Sequence, residues 1–366
     1  MSASPFDHPF LSGLLGDADV AEFMTAEADW RAMLRFETAL ARAEAAAGVI
    51  PSAAADRIVA ALAAFEPDIA ALNTGVGRDG VVIPDFVRQL RAAVGGEAAG
   101  FVHVGATSQD VIDTSLALRL KPVLAILDRR LEAVAGALDV LEARDGAIEV
   151  MGHTRMQAAI PVPAARKIAS WRDPLARHRA RLAEVSAGVA ILHFGGAAGT
   201  LEKLGDAAGA VTRHLADLLE LSPVERPRHS ERDDIAALAS WLSLVTGSLG
   251  KMGQDVALAA QSEVGEIRLS GGGGSSAMPH KVNPVGAEAL VTLARFNATL
   301  LAGMHQSLVH ENERSGAAWT LEWMLLPQML MATAAALRHA QALVGQVAFR
   351  PAKGRTEQAA AKDPGS

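Results

Sequence analysis

Apolar residues recur at steps of three and four along most of this chain. Phe23, Trp30, Met33, Leu34 and Leu40 open the pattern and predict a helix over residues 20–48, closed by the Gly and Pro of "GVIP" at 48–51. Two shorter helical pieces follow, up to about residue 95. A polar, glycine-rich stretch, "GGEAAGFVHVGATSQDVIDT", then interrupts. The next helix is expected from about Ser108 to Asp145, where Leu124, Leu127, Leu131, Val134, Leu138 and Leu141 form a narrow apolar seam. Pro122 lies inside that pattern and should kink or divide the helix. A second seam runs through Leu238, Leu242, Val245, Leu249, Met252, Val256 and Ala259. A third runs through Leu290, Leu293, Leu300 and Met304, with Asn297 in one seam position. Long helices with such stripes pack side by side at shallow angles. A 30-residue helix is about 45 Å long, too long for a compact globule. The pattern therefore predicts an all-α fold, an elongated bundle of about five long helices, with apolar surface left over for association between chains. Ile148–Met151 is the best strand candidate. We divide the chain into a helical region over 1–105, a central bundle over 106–346 and a tail over 347–366, low in large apolar residues and expected to be disordered.

Composition narrows the classes. The 366 residues are half apolar, with no tyrosine and few aromatics, so Ala, Leu and Val must do the packing. The net charge of −7 is spread evenly, which argues against nucleic acid as a partner. Without cysteine, disulfides and thiol chemistry are excluded. The first residues, "MSASPFDHPF", lack the basic-then-apolar pattern of a signal peptide, and no stretch reaches the apolar length of a membrane span. The expectation is a soluble, cytoplasmic protein with no membrane partner.

Four polar islands break the helical text: "HVGATSQD" (103–110), "GHTRMQAAIP" (152–161), "SGGGGSSAMPHKVNP" (270–284) and "HENERSG" (310–316). Gly271–Gly274 cannot hold a helix and suit a lid that orders over a ligand. A surface linker would also explain the glycines, but linkers rarely mix Met, His, Lys and Asn between two tightly patterned helices. A nucleotide phosphate loop does not fit, because no Gly-Lys-Ser/Thr closes the run. Lys281 and Asn283 precede a helix opened by Pro284, where an anion is favoured. Thr107, Ser108 and Asp110 read as a helix start, either as simple capping or as a carboxylate cradle. His103 alone is weak evidence of chemistry. Arg155 offers a forked donor suited to a carboxylate, or else a surface ion pair. His310, Glu311, Glu313 and Arg314 fit a solvated helix end equally well. The eleven histidines show no helical zinc spacing.

"GSSAMPHKVNP" (274–284) resembles the signature loop of the fumarase/aspartase superfamily, G-S-S-x-M-P-x-K-x-N-P. "GATSQDVIDT" (105–114) resembles the superfamily's first region and "GHTRMQAAIP" its second, in the expected order. The similarity extends from about residue 20 to 345. It implies a long helical bundle forming a homotetramer, with active sites built from three subunits and the usual C-terminal helical domain largely missing. Within the superfamily the chain resembles the branch that lactonises 3-carboxy-cis,cis-muconate in protocatechuate breakdown. Arg155 stands where lyases commonly carry a proton-handling histidine, and "SGAAWTLEWMLLPQM" (315–329) is similar to that branch. His153 departs from the arginine usual at its position, which puts any carry-over there in doubt. Adenylosuccinate lyase, which shares the "AMPHK" wording, is the alternative, with β-elimination releasing fumarate.

The resemblance also implies roles. Ser276 is the superfamily's base in the elimination direction; in lactonisation it, or a nearby acid such as His103, would deliver the proton. Lys281 and Asn283 would grip the carboxylate that gathers charge, with Ser275 and Met278 beside them in the loop. Thr107 and Ser108 would take a second carboxylate, Arg155 and Gln157 a third, and Arg314 is a further binding candidate. The substrate is a small tricarboxylate that supplies its own electron sink, so neither metal nor organic cofactor is expected.

Overall fold

The computed structural model describes residues 4–274, 278 and 282–351. Two single-turn helices, α1 (Ser12–Leu15) and α2 (Ala18–Ala21), lead into α3 (Ala26–Ala46). α3 begins later than its apolar pattern suggests because Thr25 caps it, its hydroxyl accepting the Ala28 N–H at 3.0 Å. Then come α4 (Ser52–Leu62), α5 (Ile69–Asp79) and α6 (Ile83–Val94). Five long helices follow with one short helix among them: α7 (Ser108–Asp145), α8 (Ala164–Val189), the short α9 (Ala208–Leu219), α10 (Asp233–Ala259), α11 (Val285–Gln306) and α12 (Ala317–Gln346). α7 keeps the predicted bounds, and Pro122 sits within it without dividing it.

The expected strand, Ile148–Met151, overlaps β1 (Glu149–Thr154), which starts one residue later, ends three residues later and pairs antiparallel with β2 (Gln157–Pro163). The sequence reading missed β2, whose "QAAIPVP" lacks the β-branched alternation of a strand. Its two prolines are tolerated because each strand of a two-stranded ribbon has a free edge. A second pair, β3 (Ile267–Leu269) with β4 (Val347–Phe349), closes the far end of the bundle.

Contacts at the helix ends fix their directions. Trp319 at the start of α12 donates to Asp113 at the start of α7, while Arg144 at the end of α7 donates to the Val347 carbonyl just past α12. α7 and α12 therefore run parallel. α10 runs with them: Arg232, immediately before it, pairs with Asp113, and Glu266, just beyond it, accepts the Met151 N–H. α8 and α11 run the other way. Gly250 and Gly253 let α10 and α11 touch backbone to backbone; a Cβ on Gly253 would stand 2.5 Å from the Ala287 carbonyl oxygen.

Two apolar cores result. The seams meet in the bundle, where Leu127, Leu131, Leu138, Trp171, Leu242 and Leu290 are buried. Asn297, the polar seam residue, donates to the Met329 carbonyl and the Thr333 hydroxyl of α12. The second core gathers Phe36, Leu40, Ile58, Phe86 and Leu90 from α3, α4 and α6 with Phe194, Leu215 and Leu219 from the 192–221 segment, so that α9 packs on α3. α10 and α11 are each long and apolar enough to cross a membrane by composition, unlike the sequence expectation. They pack against each other in the bundle instead, α10 mostly buried and α11 less so. Large apolar side chains remain exposed on several elements, among them Val140, Met156, Ile160, Leu244 and Met324.

Candidate functional site

The first polar island folds as the N-terminus of α7. Thr107 and Asp110 form a capping box there. The buried Asp110 carboxylate accepts four hydrogen bonds: from the N–H groups of Thr107 (2.9 Å), Gly195 (2.8 Å) and Gly196 (3.0 Å), and from His229 Nε2 (2.7 Å). One acid thus binds three chain segments together. Ser108 is the first helical residue, half-buried, and its hydroxyl makes no hydrogen bond to a described residue. Buried Gln109 donates to Asp113 and to the His229 carbonyl, and its own oxygen accepts from Arg314 Nε at 3.1 Å. Arg314 also donates to the Gly196 and Ala197 carbonyls. Its guanidinium has only neutral acceptors among the described residues, so it stands as an unneutralised cation beside a helix N-terminus. Both favour an anion.

Beneath this surface lies a buried ionic cluster. Arg232 bridges Asp113 (2.7 Å) and Glu322 (2.6 Å and 2.9 Å), and Trp319 Nε1 donates to Asp113 at 3.0 Å. Burial alone would raise the Asp113 pKa, but Arg232, with His193 and Gln109, holds it down at about 2. Burial pushes His193 down to about 4, with Asp113 opposing and Arg232 adding to the effect. The cluster ties the starts of α7, α10 and α12 into one platform. Sequence reading missed Asp113, His229, Arg232 and Glu322, and took Asp110 only as part of a helix start. Gln109, Asp110 and Asp113 did carry a signal, three polar residues turned inward at the start of an apolar seam.

His103 precedes this helix in a left-handed conformation, φ 66°, and its Nδ1 lies 2.6 Å from Glu37 Oε1 of α3. Burial would lower its pKa. The Glu37 charge and hydrogen bond, with Asp110 adding, outweigh burial and the opposing Arg91, so the pKa is raised. Deeper on the same face of α3, Glu44 is fully buried and neither carboxyl oxygen has a hydrogen-bond partner. Burial, helped by Glu37, pushes its pKa up to about 9.

The other candidates lie at the opposite end of the bundle. Arg155 and Met156 form the tip of the β1–β2 hairpin, with φ of 48° and 66°, the mirror-image turn that suits hairpin twist. Arg155 and Gln157 are exposed. Asn283 exchanges two backbone hydrogen bonds with Gly273 (3.0 Å and 2.9 Å) immediately before α11, which closes the base of the signature loop. Met278 is 43% exposed. Ser275, Ser276 and Lys281 lie outside the described residues, as does the tail beyond residue 351.

One chain therefore brings His103, Thr107, Ser108 and Arg314 together, and separates them from Arg155, Gln157 and Asn283 by the length of α7, about 57 Å. Each end has its own cleft. One of about 700 Å³ lies beside Arg314, Trp319 and Trp323. The other, about 480 Å³, lies between the hairpin and α8, lined by His153, Met156, Lys167 and Lys251. Among the described residues no three His, Asp or Glu side chains converge as metal ligands.

Comparison with known proteins adds to this geometry. A model of the lyase family matches residues 11–297. A 3-carboxy-cis,cis-muconate cycloisomerase of Bradyrhizobium diazoefficiens is 41% identical over 335 residues, covering 90% of this chain and 74% of the relative. One from Pseudomonas aeruginosa is 42% identical over 318 residues, covering 85% and 69%. The crystal structure of the 3-carboxy-cis,cis-muconate lactonizing enzyme from Pseudomonas putida superposes with a TM-score of 0.88 at 36% identity, covering 94% of this chain and 78% of that one.

Proposed function

Because the chain belongs to the lyase family, we propose that it converts 3-carboxy-cis,cis-muconate to 4-carboxymuconolactone, a step of protocatechuate breakdown, in the cytoplasm. The observation that carries this reading is the identity of about two residues in five to cycloisomerases across nearly the whole chain. The α7 N-terminus with its unneutralised Arg314 supports it, since a substrate with three carboxylates needs separate anion sites.

The chemistry has three requirements. The substrate must be held folded, with one carboxylate oxygen against the alkene carbon it attacks. As that C–O bond forms, the alkene electron pair moves onto the conjugated carboxylate, and the resulting dianion must be stabilised. A proton must then reach the neighbouring carbon. In our reading Thr107 and Ser108 hold one carboxylate at the α7 N-terminus, with Arg314 beside them. Arg155 and Gln157 hold a second. Lys281 and Asn283, with Ser275 and Met278, hold the carboxylate that gathers charge. Ser276 or His103 delivers the proton.

These groups meet only when copies associate. We propose a homotetramer in which bundles pack side by side in opposite senses, so that the hairpin and signature loop of two copies reach the α7 N-terminus of a third. The exposed Val140, Met156, Ile160 and Leu244 supply apolar surface for such contacts.

The test is direct. Adding the protein to 3-carboxy-cis,cis-muconate should abolish the diene's ultraviolet absorbance and yield the lactone. Persistence of that absorbance, with fumarate released from adenylosuccinate, would replace this reading by the elimination one.

A further inference from the structure

Three observations converge on His103. Its backbone is left-handed, which costs a non-glycine residue about 1 kcal/mol or more and persists only where the surroundings impose it. The surroundings here are specific: Arg91 of α6 donates to the Val102 carbonyl at 3.1 Å, and Gly105 turns back against Leu204. Finally, the imidazole is fixed through one nitrogen only. Nδ1 is spent on Glu37, a residue 2% exposed, while Nε2 has no partner among the described residues.

We propose that Glu37 is a positioning residue for the reaction: by holding Nδ1–H it orients the His103 imidazole and presents Nε2–H as the proton donor to the carbon beside the new lactone bond. The inference rests on the lactonisation reading and chooses His103 over Ser276 for the proton. The step balances. The dianion's electron pair takes the Nε2 proton to form the C–H bond, and the imidazolium becomes a neutral imidazole still bonded to Glu37. The groups facing the ring are Glu37 from α3, Asp110 from α7 and Arg91 from α6. Two carboxylates against one guanidinium favour the protonated form needed before each turnover. Glu44 stands behind Glu37 on the same helix face and is neutral at pH 7, so it competes for neither the imidazole nor its proton.

The experiment follows His103 by NMR with 13C-labelled histidine in the intact protein, its signal identified by its loss in His103→Gln. In the wild type His103 should titrate above an ordinary histidine; titration at or below that value overturns the proposal without any variant. In Glu37→Gln the titration should move down. The alkaline limb of the kcat/KM profile should move with it, with kcat falling at least about 10-fold at pH 8 and less at pH 6. Glu44→Gln should leave both unchanged. A His103 titration that stays put in Glu37→Gln overturns the pairing. One that moves while the rate profile does not overturns the proton-donor role. Failure to form any lactone would instead sink the activity itself, and the titration would still report on the pair.

Discussion

At the residue scale, buried acids set the pH response. Asp113 has a folded-state pKa of about 2, below its unfolded value. Its contribution of about 2 kcal/mol is therefore present above pH 4 and lost as pH falls toward 2. Urea unfolding from pH 7 downward should show this loss. Asp113→Asn should be less stable by roughly 3 kcal/mol at pH 7, because Arg232 loses a buried charge partner. Glu44 works with the opposite sign. Its pKa is raised to about 9, so its contribution is complete below about pH 4.5 and is lost as pH rises toward 9. Glu44→Met should therefore stabilise the protein, by roughly 3 kcal/mol more at pH 7 than at pH 4. Equal gains at both values would show that Glu44 is not held protonated. These effects mark where sequence reading stops. Thr107 and Ser108 stood out because their signal, a helix start, is local, whereas His103 alone was weak evidence. Glu37 did not stand out, because its partner lies 66 residues away, and nothing in an apolar helix pattern says which buried acid finds a histidine.

At the element scale, the seams placed α7, α10 and α11 and gave the bounds of α7, since burial on one side imposes the three–four spacing. The hairpin was half legible: β2 carries small residues and prolines and is exposed along most of its length, so burial left no pattern in it. Closeness of helices was not legible at all. Two glycines of α10 look alike in the sequence, yet Gly247 has open space where a Cβ would go and Gly253 has the Ala287 carbonyl. Gly247→Ala should raise stability by about 0.5–1 kcal/mol, through helix propensity alone. Gly253→Ala must push α10 from α11 and should cost about 1–3 kcal/mol. Thermal unfolding of the pair, side by side, should move the midpoint in opposite directions.

At the scale of the whole molecule, the division of the proposed anion-binding groups between the two ends of α7 predicts complementation. Thr107→Ala and Arg155→Ala should each be nearly inactive alone. Denatured together and refolded as mixed oligomers, they should regain roughly a quarter of the sites by random assortment. No recovery would show that one chain makes its own site. The two cores carry a further consequence. The amino-terminal core is completed by α9 and the irregular segment before it, which lie beyond α7 and α8 in the chain. On the ribosome, α3 must therefore wait with Phe36 lacking Phe194, and without its α9 cover, until synthesis has passed Leu221. Chaperone dependence should be greatest in that interval, and a translation pause just after it would do more to raise the yield of folded protein than one at the end of α6.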